Sequence, residues 1–304
     1  MLSFLPGKMK GVILIILFAI NTVFWVTLLL IVSLFRIAVP LKFWYRFTSQ
    51  ISITIADSWI TCNNAGLALM HKIEWDVQSS GKLEMNEWYL VVSNHQSWVD
   101  IVILQKVLLG KIPFLKFFLK KELIWVPVLG PAWWSLEFPF MKRYPKELLK
   151  KKPHLKGKDI EATRKACEKY KTMPVSVMNF MEGTRFTPGK HRAQKSPYIN
   201  LLKPRAGGIS LVMKTMGEQL NKIADVTIYY PEGPGSFWDL LCGNITKITV
   251  RINVIPVTDE IRGDYVNDEF FVKKFQEWLN SFWKRKDDFI ENELKPERSQ
   301  SRIA

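Results

Sequence analysis

Cysteine is scarce in this chain: Cys62, Cys167 and Cys242 are the only three in 304 residues, and no C-x-x-C pair occurs. That excludes a disulfide scaffold and a paired-cysteine zinc ribbon, and it fits a reducing compartment. The four histidines (His71, His95, His154, His191) are dispersed and form no H-x-x-x-H or H-x-x-E-H pattern, so no metal site is expected. Long apolar runs are also few; a single one is long enough to span a bilayer, which excludes a polytopic transporter. No internal repeat, low-complexity linker or G-x-S-x-G elbow is present. Acid is the short charge, with 28 Asp and Glu against 43 Lys and Arg, a net +15. Nucleic acid, an anionic membrane surface and a polyanionic substrate would each account for such an excess.

What is there points to a folded protein. Hydrophobic residues make up 48% and aromatics 13%, far too much for a disordered chain, and the length suffices for one large or two small domains. Residues 11–35 carry no charge. As a helix they would extend roughly 37 Å, enough to cross hydrocarbon with some tilt. The run is longer than a signal-peptide core and no small-residue cleavage site follows it, so an uncleaved anchor is expected. Lys8 and Lys10 precede it and Arg36, Lys42 and Arg46 follow, so flanking charge does not decide between crossing and re-entry. Residues 47–70 are apolar but interrupted by Asp57 and several Ser, Thr and Asn, which suits a second helix lying partly in the interface.

Beyond residue 73 the pattern changes to strands alternating with helices. Residues 88–92, 175–181, 226–230 and 247–255 read as strands, and 99–109 and 159–172 as helices. The expected class is α/β, a central mixed sheet flanked by helices, with an N-terminal membrane-embedded helical segment. Three parts follow: a membrane anchor and interfacial helix over 1–70, an α/β domain over 71–290 that would carry any chemistry, and a polar tail over 291–304. Phe271, Phe275, Trp278 and Phe282 form one helical stripe, which reads as core. Residues 113–140 mix eight aromatics with Lys111, Lys116, Lys120 and Lys121 nearby, a composition suited to a membrane interface. The cations cluster: residues 142–171 hold twelve Lys and Arg against four acids, and residues 185–217 hold seven and no acid.

The chemistry-bearing segment is Asn94-His95-Gln96-Ser97-Trp98-Val99-Asp100, where a strand gives way to a helix start. A carboxylate in the first helical turn can accept from one imidazole nitrogen, fixing the tautomer and raising the basicity of the other. The spacing alone also fits a histidine merely satisfied in a loop. Downstream, Glu182-Gly183-Thr184-Arg185 follows another strand and sets Glu and Arg around a tight glycine turn.

Together these blocks resemble the glycerolipid acyltransferase family that includes the 1-acylglycerol-3-phosphate (lysophosphatidate) acyltransferases. Asn94-His95 with Asp100 is the first block. The second starts at Lys120-Lys121-Glu122-Leu123 and closes at Phe140-Met141-Lys142-Arg143. Phe180 with Glu182 to Arg185 is the third, and Tyr229-Tyr230-Pro231 a weaker fourth. Asp225 to Pro231, preceded by Leu202 to Arg205, looks more like the lysocardiolipin-type branch than the short bacterial form. One departure is Lys142, standing where the family often has an acid.

The resemblance implies direct acyl transfer from acyl-CoA or acyl-carrier protein to the free hydroxyl of a lysophospholipid, with lysophosphatidate the leading acceptor and a larger-headed lysolipid the alternative. His95 would be the general base and Asp100 its orienting partner. Asn94, Lys121, Arg143, Glu182, Gly183, Thr184 and Arg185 would form the acceptor site, the cations holding phosphate and Glu182 holding Arg185 or a glycerol hydroxyl. No cofactor, metal or nucleic-acid partner is implied; anionic membrane lipids are. The implied location is a membrane, the bacterial inner one, with the site facing the cytoplasm.

Overall fold

A computed structural model describes residues 5–141, 168, 170, 173–263 and 268–294. Two antiparallel helices come first, α1 (Gly7–Ala38) and α2 (Lys42–Met70), joined by a three-residue turn. At 1.5 Å per residue α1 is roughly 48 Å long. Its most apolar window is only 17% buried, so most of that surface faces away from the protein. Polar side chains bind the two helices: Asn21 Nδ2 donates to Asn63 Oδ1 (2.9 Å) and to the Trp59 carbonyl (3.1 Å), and Trp59 Nε1 donates to Thr22 Oγ1 (3.2 Å). These bonds account for Asn63 among the polar residues of α2, while Ser52, Ser58 and Thr61 return their hydroxyls to the carbonyl one turn earlier. Gly11 lets α1 sit directly on the domain behind it, since a Cβ there would lie 2.8 Å from Cys242 Sγ and 2.9 Å from the Trp238 ring.

Among the described residues the domain has eight strands: β1 (Glu74–Ser80), β2 (Tyr89–Ser93), β3 (Leu115–Phe117), β4 (Leu119–Lys120), β5 (Phe140–Met141), β6 (Ser176–Phe180), β7 (Lys222–Tyr229) and β8 (Lys247–Pro256). Six form one sheet in the order β1-β8-β7-β2-β6-β3, while β4 and β5 pair separately. Only β7 and β8 run antiparallel; the other neighbours are parallel, so the sheet is mixed. Tyr89-Leu-Val-Val-Ser93 is buried at every position, as a central strand covered on both faces requires. The expected strands over 88–92, 175–181, 226–230 and 247–255 correspond to β2, β6, β7 and β8. Strands β1, β3, β4 and β5 carry no comparable apolar signal, and three of them are two or three residues long.

Among the described residues the α-helices of the domain are α3 (Val99–Leu108), α4 (Leu129–Ser135), α5 (Pro188–Gln194), α6 (Ala206–Met216), α7 (Phe237–Cys242) and α8 (Glu269–Phe289). One face of the sheet packs Leu90, Val92 and Val177 against α6 and α8. Val91, Val226 and Ile228 on the other face meet α3, α7 and, through Leu14 and Leu67, the helical hairpin. A third cluster joins Val26, Leu29 and Ile60 of the hairpin to Phe114, Leu136 and Phe138. The aromatic stripe of α8 is core, with Phe275 and Phe282 buried and neighbouring rings 5.3–5.9 Å apart. Residues 113–140 are more divided than expected: Phe114 and Phe138 are buried, whereas Trp125 is 85% exposed. Residues 290–294 continue α8 as a π-helical turn, and Leu294 is buried in the core. The helix expected over 159–172 lies outside the described residues apart from Glu168 and Tyr170.

Candidate active site

The register of the sheet assembles the site. Ser93, the last residue of β2, pairs with Phe180 at the end of β6 and with Val226 of β7. The segments carrying Asn94-His95 and Glu182 to Arg185 therefore leave the carboxyl edge side by side, where open parallel sheets hold their ligands. Asp100 sits in the first turn of α3, and its carboxylate is buried. Its Oδ2 lies 2.9 Å from His95 Nδ1 and accepts from the backbone N–H groups of Gln96 (2.6 Å) and Ser97 (2.9 Å). That bond leaves His95 Nε2 as the nitrogen free to take a proton. The imidazole lies flat on Phe180, ring centres 3.8 Å apart and planes 13° apart, which fixes its second rotation axis.

Glu182 and Asn94 both spend their polar atoms on backbone groups. The Glu182 carboxylate is wholly buried and accepts from the His95 N–H (2.9 Å) and the Leu202 N–H (3.0 Å), so it holds the His95 loop rather than Arg185. Burial pushes its pKa up to about 7, against the lowering effect of those two N–H groups. Asn94, equally buried, spends both ends of its amide on Ile228: Nδ2 donates to the carbonyl (2.8 Å) and Oδ1 accepts from the N–H (2.9 Å). Both residues pin the loop from behind because their hydrogen-bonding atoms are already taken by backbone.

Gly183 adopts φ +65°, a left-handed conformation that makes the turn after β6 possible, and a Cβ there would press on the Arg205 side chain. Thr184 and Arg185 follow it. Lys190 Nζ donates to Thr184 Oγ1 (2.7 Å) and to the Arg185 carbonyl (3.0 Å), bracing that segment from α5. The Arg185 guanidinium lies 4.8 Å from the centre of the Trp98 ring, a cation–π contact that holds it beside His95. Lys121 begins a 3₁₀ turn (Lys121–Trp125), is exposed and lines neither cavity described below. Arg143 and Lys142 lie outside the described residues. Gly130 has a steric task, because a Cβ there would fall 2.1 Å from the Ile124 carbonyl oxygen.

Two cavities meet at His95. The smaller, about 260 Å³, is lined by Gly183, Thr184 and Arg185 with Asn179 and Gly208. The larger, about 720 Å³, is mainly apolar and runs between the hairpin, α3 and α4. His95, Phe117, Phe118 and Phe180 line both. Among the described residues no cluster of His, Cys, Asp and Glu is arranged to hold a metal ion.

The family described as Acyltransferase matches residues 74–231, just over half of the chain. The chain belongs to the acyltransferase family. Human 1-acyl-sn-glycerol-3-phosphate acyltransferase gamma is 25% identical over 256 residues, covering 80% of this chain and 61% of the human protein. The mouse delta protein is 27% identical over 216 residues, 66% of this chain and 52% of its own length. The chain thus spans about half to three-fifths of the relatives it matches. Its fold resembles the crystal structure of the 1-acyl-sn-glycerophosphate (LPA) acyltransferase PlsC from Thermotoga maritima, with a TM-score of 0.56 and 18% identity over 94% of this chain and 98% of the other. The acyltransferase stretch contains His95, Asp100, Glu182 to Arg185 and, near its end, Tyr230.

Sequence reasoning overlooked four supports of this acyltransferase site. Tyr230 donates to Asp100 Oδ1, Phe180 stacks on His95, and Lys190 braces the Thr184 segment. Buried Lys286 of α8 donates to the Val226 carbonyl (2.8 Å) and Thr227 Oγ1 (2.9 Å) and pairs with Asp225. Tyr230 and Phe180 stood within the motif blocks. Nothing local in the sequence distinguishes Lys190 or Lys286 from other basic residues.

Proposed function

We propose that the chain is a membrane-bound lysophosphatidate acyltransferase that moves a fatty acyl group from acyl-CoA, or acyl-carrier protein, to the free hydroxyl of lysophosphatidate. The observation that carries this is the oriented His95–Asp100 pair where an apolar cavity meets a smaller one bearing Arg185. His95 Nε2 takes the proton of the acceptor hydroxyl while the alkoxide oxygen bonds to the thioester carbonyl carbon. The tetrahedral intermediate then collapses, the C–S bond breaks, and the imidazolium returns its proton to the departing thiolate. Asp100 stabilises the cationic ring between these steps. The reaction runs directly between donor and acceptor, with no acyl-enzyme and no cofactor. Arg185 suits the acceptor phosphate through its two-pronged fork, and the apolar cavity suits the acyl chain.

The exposed apolar surface of α1 supports attachment to a bilayer, where the hairpin would bring the cavity mouth to its lipid substrates. The compartment carried over from the sequence resemblance is a bacterial inner membrane with the site on the cytoplasmic side. Purified protein supplied with lysophosphatidate, other lysophospholipids and both donor types tests the reading. Phosphatidate formation that outpaces every other product is expected. Turnover on a larger-headed lysolipid with no phosphatidate would replace lysophosphatidate by that acceptor, and no turnover on any acceptor would overturn the enzymatic reading.

A further inference from the structure

The fourth motif block, Tyr229-Tyr230-Pro231, has no part in the chemistry so far. Tyr230 follows β7, is 3% exposed, and donates its hydroxyl proton to Asp100 Oδ1. The two carboxylate oxygens are thus divided. Oδ2 takes His95 Nδ1 and two backbone N–H groups, while Oδ1 takes the Tyr230 hydroxyl.

We infer that Tyr230 is a positioning residue of the proposed acyl transfer: it fixes Asp100 and draws off part of its negative charge, setting the basicity of His95. The inference rests on His95 being the base. Three observations carry it. The carboxylate is anchored at both oxygens by groups from separate segments, the turn before α3 and the end of β7, so it cannot rotate away from the imidazole. Toward the carboxylate Tyr230 is the donor, because burial and the neighbouring Asp100 charge hold its phenol well above the ordinary value and so keep it protonated. Finally, hydrogen bonds to a carboxylate stabilise its charge, and a carboxylate already satisfied at Oδ1 attracts a proton on His95 less strongly.

The other charged groups facing the pair are Glu182, whose Oε1 accepts from the His95 N–H, and Arg185 over Trp98. Lys286 reaches the pair only through its effect on Glu182. Removing the Tyr230 hydroxyl leaves these groups in place and changes the hydrogen bonding of Asp100 alone.

The test is the pH dependence of kcat/KM. In Tyr230→Phe the unshared charge on Oδ1 stabilises the imidazolium. His95 then loses its proton at higher pH, and the acidic limb moves up by about half to one unit. At neutral pH kcat is expected to fall ~10-fold with the KM values of both substrates unchanged. A fluorinated tyrosine at position 230, a stronger donor of nearly the same shape, should move the limb the opposite way. If Tyr230→Phe fails to fold, the fluorotyrosine series decides alone. An unshifted limb in these variants, whether or not kcat falls, overturns the inference and leaves Tyr230 a packing residue. His95→Ala separates the two levels: an active His95→Ala sinks the proposed function itself, whereas an inactive one with an unshifted Tyr230→Phe sinks only the role of Tyr230.

Discussion

Replacing Asn94 by Ala separates a loop-holding role from a substrate-binding one. The pairing of β2 with β7 ends at Ser93 and Val226. Asn94 then continues the contact with its side chain, bonding the Ile228 carbonyl at 2.8 Å and the Ile228 N–H at 2.9 Å inside a wholly buried site. Alanine would leave both Ile228 groups buried without these partners, at about 1–3 kcal/mol each. Water entering the small void would offset part of that, so a loss of about 3 kcal/mol is expected. In a domain of this size each kcal/mol shifts Tm by about 2–4 °C, so Tm should fall by about 6–12 °C. His95 is the next residue, so kcat should fall while KM for the acceptor stays put. Asn94→Asp should be worse, because it sets a buried carboxylate oxygen against the Ile228 carbonyl. Thermal unfolding in detergent with parallel kinetics decides the matter. An unchanged Tm together with a raised acceptor KM would refute this reasoning and return Asn94 to the substrate site.

Three further outcomes are expected. Glu182 has a folded pKa of about 7 against 4.5 in the unfolded chain. Between those values the unfolded state sheds its proton first, so stability falls as pH rises through the window and levels off above it. The drop is about 3 kcal/mol, and Glu182→Gln should lack it in denaturant titrations at pH 5 and 7.5. Arg185→Lys keeps the charge but loses the fork and the stack on Trp98, so KM for lysophosphatidate should rise about tenfold with kcat changed less; equal KM values would remove Arg185 from the acceptor site. Deleting residues 1–35 should release the protein from membranes in flotation assays, and full retention would assign attachment to α2 or to the exposed aromatics near Trp125.

The sheet was legible where its strands are long and apolar. Strands β2, β6, β7 and β8 announce themselves by β-branched runs, whereas β3, β4 and β5 are two or three residues long and owe their pairing to neighbours. Half-buried and polar, β1 (Glu-Trp-Asp-Val-Gln-Ser-Ser) forms only because β8 offers an edge. In the site, His95 and Asp100 were readable because five residues bridge a strand end and a first helical turn. Asn94 and Glu182 lie among the same motifs, yet the direction of their side chains was not readable. Whether a polar residue meets substrate or its own backbone depends on which strand lies alongside, a matter of sheet order rather than spacing. Lys190 and Lys286 show the same limit from the other side: the partners of Lys286 lie on a distant strand, and Lys190 reaches the motif from unremarkable sequence.

The account stands on His95 acting as a base held by Asp100. The measurement that bears on it most directly is single-turnover transfer from a labelled acyl thioester by the wild type and by His95→Ala. The account predicts a loss of about 10²–10⁴-fold in the variant, with donor and acceptor still bound and no labelled acyl-protein in the wild type. Undiminished transfer by His95→Ala, or an acyl-protein that forms and decays at the rate of product formation, would contradict it.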